Sequence, residues 1–303
     1  MITGRPNPSV HSMLFTWLDE PILELTGRFQ LRFLELQDML VEVPQSEDGG
    51  HGIDGPLLGI RAFLRMFSSI SVMQLGDIAF YGSVDSRHPS FPIEALGTDD
   101  YTPPSVQELN LCDGFPTSGW ASLISSCIIF APSASLLFTD QMGPSVLQNI
   151  CEGQALSIVH LQLTLGKGIS EPVSLAGFNN LKTLIIRMNL LFSTYGPEEG
   201  WQFLYDVLAV IPPSVVTLAL HLRLPAPERL PFPDPLKFAD LDLVHSQLWT
   251  LHKGALRSVD IRLDTLNMDR ADGGTSSLVR KALMERHLGS LKQEGLRVTI
   301  VVP

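Results

Sequence analysis

The chain has 303 residues, 45% of them hydrophobic and 17% charged, and its net charge is −11. That balance builds a core and excludes a disordered chain. An acidic chain with scattered basic residues also lacks the positive field that nucleic acid or an anionic membrane attracts, so neither is expected as a partner.

Three cysteines, Cys112, Cys127 and Cys151, are too few and too odd in number for a disulfide framework, which fits a reducing compartment. The N-terminus carries Pro6 and Pro8 early and has no long apolar core, so it does not read as a secretory signal. The most apolar window, Ile124 to Phe138, is too short for a membrane span and is broken by Pro132. A cytoplasmic or nuclear protein is expected.

In chain order, residues 1–30 read as an ill-defined N-terminal segment or cap. The spacing L-x-x-L-x-L then opens at Leu31-Leu34-Leu36, closed by Val41. Residues 44–55 are polar and glycine-rich, a loop. Residues 56–67 place Leu57, Ile60, Phe63, Leu64 and Phe67 at helical spacing. The strand spacing returns at Ile70-Met73-Leu75, closed by Phe80, and again at Val106-Leu109-Leu111 after a proline-rich loop over 82–105. Residues 116–127 and 144–156 predict short helices, with a further strand near Leu137 between them.

Ile158-Leu161-Leu163 and Leu181-Leu184-Ile186 follow. Residues 197–211 predict a helix. Pro197, Glu198 and Glu199 suit its first turn, Trp201, Leu204, Leu208 and Ile211 form its apolar stripe, and Pro212-Pro213 ends it. Val215-Leu218-Leu220 comes next, then a loop over 225–235 and a helix over 239–252 carrying Leu241, Val244, Leu248 and Leu251. The seventh copy is Leu256-Val259-Ile261, extended by Asp264 and Leu266. A helix over 276–294, with Val279, Leu283, Leu288 and Leu291 facing inward, leads to a last strand from Leu296 that is out of strict register.

The most complete copy is LKTLIIRMNLL, Leu181 to Leu191, which reads L-x-x-L-x-L-x-x-N-x-L. This is the spacing of a leucine-rich repeat. The repeats are separated by 39, 36, 52, 23, 34 and 41 residues, longer and less even than the standard period. Strands alternating with helices predict parallel pairing and right-handed crossovers. The expected fold is a single α/β domain over 1–303: a leucine-rich-repeat-like solenoid with a curved parallel sheet and helices on its convex side.

Stretches such as SVQELNL, NLKTLIIRMNLL, PPSVVTLALHLRL and ALRSVDIRL resemble the irregular leucine-rich-repeat regions of fungal F-box-type proteins. The resemblance covers roughly residues 30–303. It implies a solenoid that recruits a protein substrate to a ubiquitin ligase. The helical F-box with its early Leu-Pro pair has no counterpart in residues 1–30.

No catalytic constellation stands out: G-x-S-x-G, the phosphate-binding loop and H-E-x-x-H are all missing. His245 and His252 share a helix face and read as packing residues. Asp264, Asp269 and Asp272 do not keep a calcium-loop register. No cofactor or metal is called for, and the reading is a non-enzymatic binding protein with a protein partner. The alternatives are an α/β hydrolase-like enzyme and a gene fragment without a partner.

Side chains alternate along a strand, so residues between the inward leucines face out. This gives a binding strip of Glu35, Gln37, Gln74, Asn110, Gln162, Thr164, Ile185, Arg187, His221, Arg223, Asp260 and Arg262. Its C-terminal part is the more cationic and the first place to expect a partner.

Overall fold

The computed structural model describes residues 29–36, 39–42, 63–76, 78–81, 102–112, 127–138, 147, 153–165, 174–189, 197–224, 235–265 and 273–302. The chain divides into two compact units, Met1–Ile158 and Val159–Pro303. It is an α/β protein whose paired strands within each unit run parallel.

In the first unit, β1 (Phe29–Leu36), β3 (Phe67–Leu75), β5 (Ser105–Leu111) and β6 (Ile129–Phe138) pair in that order. Two short strands, β2 (Met39–Glu42) and β4 (Ile78–Tyr81), pair separately and set Val41 opposite Phe80. These two residues therefore build a second small sheet, whereas the sequence reading had them close the first two repeats.

The helix expected over 56–67 ends sooner. Phe63 and Leu64 are helical, residues 65–66 turn, and Phe67 already pairs with Phe29. Backbone pairing with β1 outcompetes continuation of the helix, and an edge-on contact between Phe63 and Phe67, with centroids 5.3 Å apart, packs the corner. The helices expected over 116–127 and 144–156 lie mostly outside the described residues. The end of the second is a 3-10 turn, Ala155–Ser157.

The strand expected near Leu137 is β6, longer than foreseen. Its register slips against β5: Phe130 faces Val106, but Ser135 faces Glu108. The surplus residues include Pro132, which cannot donate to a ladder, and Ser133, whose φ of 67° is left-handed. Gln154 stitches the start of this strand. Its Oε1 accepts from the Phe130 N–H at 2.7 Å and its Nε2 donates to the Ile128 carbonyl at 3.3 Å, so an amide side chain supplies a missing rung.

In the second unit, β7 (Ile158–Leu165), β8 (Thr183–Asn189), β9 (Thr217–Leu224), β10 (Ser258–Thr265) and β11 (Arg297–Val301) pair in sequence order. Helices α1 (Pro197–Ala209), α2 (Leu241–Lys253) and α3 (Gly273–Gln293) fill the last three crossovers. The first apolar residue of each of the last three copies (Leu181, Val215 and Leu256), and Leu296 ahead of β11, is at most 2% exposed. The residue after it bonds to the copy before: Lys182 N–H to Val159 O, Val216 to Lys182, Arg257 to Val216 and Arg297 to Arg257, at 2.8–3.1 Å. The repeat spacing thus fixes both a buried side chain and a backbone rung.

In α1, Trp201, Leu204, Leu208 and the following Ile211 are buried as expected, with Tyr205 and Val207 beside them. Asp240 caps α2, its Oδ1 accepting from Leu243 N–H at 2.9 Å. In α3 the inward stripe is Arg280, Met284, Leu288 and Leu291, and Val279 is 63% exposed. This corrects the expected stripe. Leu288 and Leu291 set the helical phase, and stepping back by four reaches 284 and 280, where a long arginine stem serves as packing. A left-handed Gly295 (φ 93°) then turns the chain, with Leu296 N–H bonded to Leu291 O at 3.0 Å in a Schellman-type cap.

Candidate functional site on the open sheet face

In the second unit every crossover advances to the next strand in the same direction. Parallel crossovers are right-handed, so the helices collect on one face and, among the described residues, leave the other free of them. Burial agrees. Leu184, Ile186 and Met188 of β8 alternate with Thr183, Ile185, Arg187 and Asn189, and only the first set is buried. Strand β9 does the same with Leu218, Leu220, Leu222 and Leu224. Each buried aliphatic contributes roughly 1.5–3 kcal/mol, which fixes the register, because a slip by one residue would expose them all.

The register lays the predicted residues side by side. Gln162, Ile185, Ala219, Asp260 and Thr299 form one row across the open face. Thr164, Arg187, His221, Arg262 and Val301 form the next, and Asn189, Arg223 and Asp264 a third. Eight predicted positions, from Gln162 to Arg262, thus stand together on this face. In the first unit Glu35, Gln74 and Asn110 share one row, which Leu137 extends. Gln74 Nε2 donates to Glu35 Oε1 at 3.3 Å, and Asn110 Nδ2 to Glu108 Oε1 at 3.0 Å. Gln37 lies outside the described residues.

Sequence reasoning passed over Asp264, Arg297, Thr299 and Val301, which complete the face of the second unit, and Phe33, Val72 and Leu137 in the first. Alternation carried further along β1, β3 and β10, and applied to the strands at Leu137 and after Leu296 as well, would have found them.

The two faces differ in charge. On the first unit the described open-face charges are Glu35 and Glu108. On the second they are Arg187, Arg223, Arg262 and Arg297 against Asp260 and Asp264, a net positive face on a chain of net charge −11. Arg262 Nε pairs with Asp264 Oδ1 at 2.7 Å; both are partly exposed. Such an exposed pair is screened by water, adds little stability and serves mainly to orient the guanidinium. One carboxylate oxygen of Asp260 is shut off from water and has no hydrogen-bond partner among the described residues.

His221 sits between Arg187 and Arg262 in the register. Its partial burial, and then Arg187, push its pKa below the ordinary histidine value. Asp260 and Asp264 oppose that shift and Arg262 adds to it.

The other paired histidines do structural work. His245 Nε2 meets Ser290 Oγ at 2.8 Å, and His252 meets the carbonyls of Leu256 and Glu294 at 2.9 and 3.1 Å, so both tie the α2 region to the end of α3. His287 joins Asp242 across the same helices at 3.0 Å. Among the described residues no three His, Cys, Asp or Glu side chains gather as a metal site, and no helix is long and apolar enough to cross a membrane. No protein-family model matches the chain, and no curated protein matches it.

Proposed function

We propose that this chain is a non-enzymatic, leucine-rich-repeat-type solenoid that binds a protein partner on the open face of its sheet. The supporting observation is the parity of β8 to β11, which β7 shares from His160 on. One face is a continuous aliphatic layer and the other carries polar and charged side chains in aligned rows. Such a bare, rigid sheet with arginines around a half-buried aliphatic (Ile185) has the composition of a recognition surface. The irregular spacing and the resemblance to fungal F-box-type repeats favour a substrate-recognition role of that kind.

A photo-crosslinking amino acid in place of Ile185, in the chain expressed in cells, tests this. The expected result is a discrete protein adduct that disappears with Arg187→Glu. Adducts identical to those from a crosslinker at Lys253, on the helical side, would overturn it.

A further inference from the structure

The middle row of the open face points to a specific partner chemistry. Arg187, His221 and Arg262 stand on three adjacent strands at the same register level. Neighbouring strands are about 4.8 Å apart, so the two arginines root roughly 10 Å apart with the imidazole midway. Alternate side chains of an extended peptide are about 6.7 Å apart. The long arginine side chains rooted on either side of His221 have the reach to span that interval.

The donors in this row are available. Arg187 and His221 make no hydrogen bond to any described residue. Asp264 engages Arg262 through Nε, a bond that does not use its terminal nitrogens. Val301 and Ile185 flank the row with apolar surface.

We infer that this row takes the carboxylates of an acidic protein segment, two residues apart on an extended chain, and takes up a proton as it does so. The inference rests on the protein-binding reading and adds the class of partner and its pH response. Charge complementarity selects the occupant, since the face is net positive.

The proton follows from what surrounds His221. Burial, then Arg187 on β8 and Arg262 on β10, disfavour its protonation, and Asp260 and Asp264 on β10 favour it, with a net lowering of its pKa in the empty site. Arg223 lies on its own strand, two residues on, and adds to the positive field. Carboxylates seated on the two arginines cancel their repulsion and give the imidazolium an acceptor, so binding and protonation favour each other.

The probe is a short peptide alternating threonine with glutamate, with its glutamine counterpart as control, titrated calorimetrically in buffers of different ionisation heat. The glutamate peptide should bind about threefold tighter near pH 6 than near pH 8, because one further exposed charge contact adds only a small increment. The double variant Arg187→Gln/Arg262→Gln should weaken it about tenfold at an unchanged urea midpoint, and Arg187→Lys/Arg262→Lys should restore part of the loss. His221→Gln should keep the binding and abolish both pH response and proton uptake.

Equal binding of the glutamine peptide, or a pH response that survives His221→Gln, overturns the inference. If the crosslinker at Ile185 captures a partner that the glutamate peptide does not displace, the oxyanion row falls and the protein-binding reading stands. If the peptide binds as expected but Ile185 yields no adduct, the row stands and that reading falls.

Discussion

Ile185 and Ile186 are chemically identical neighbours on one strand, and the fold assigns them opposite fates. Ile186 is 0% exposed among Leu163 and Leu220, its register partners, and Ile185 is half-buried on the open face. Ile186→Ala removes three buried carbons, about 2.4 kcal/mol at ~0.8 kcal/mol per methylene, and the cavity left behind raises the loss to about 3–4 kcal/mol. Ile185→Ala removes the same atoms from a surface that water already reaches and leaves no closed cavity. Its expected loss is about 1 kcal/mol or less, partly from weaker strand preference. Both losses are read from urea unfolding followed by tryptophan fluorescence, with Trp201 buried in α1 as one reporter. Equal losses, or a larger one at Ile185, would refute the assignment of faces.

Gln154→Ala should destabilise the first unit by about 1–2 kcal/mol, since it strips partners from Phe130 N–H and Ile128 O at once; hydrogen exchange at Phe130 is the readout. Arg257 Nη1 donates to the carbonyls of His252, Gly254 and Leu256, at 3.3, 3.2 and 2.9 Å, and so caps the end of α2. Arg257→Ala should cost about 1 kcal/mol in urea unfolding, and Arg257→Lys visibly less. His221 should titrate below the ordinary value of about 6.5 in the ligand-free protein, seen by NMR of the imidazole. The unfolded chain then takes the proton first as pH falls through that value, so stability drops with acid in that window. His221→Gln removes this component of the slope.

Several features of the fold could be read directly from residues. The inward spacing Leu181-Leu184-Ile186 and its later copies named buried positions, because strand alternation and the turn before each strand are local geometry. The α1 stripe and its stop at Pro212-Pro213 were equally legible, since proline removes a backbone donor wherever it stands. That Arg187, His221 and Arg262 each face outward on their own strands followed from the same alternation.

The phase of α3 was not legible. Hydropathy alone favours Val279, and Arg280 is an inward residue only because Leu288 and Leu291 meet the sheet and carry the helix with them. The slip in β6 and the separate pairing of Val41 with Phe80 also escaped, since register between strands depends on partners far away in sequence.

Alone, then, the sequence determined which residues alternate, where helices stop and which side chains share a strand face. The tertiary structure decided which strands are neighbours, and so which open-face side chains meet. It placed His221 between two arginines on different strands, because neighbourhood across a sheet is set by long-range backbone pairing, which no local spacing encodes.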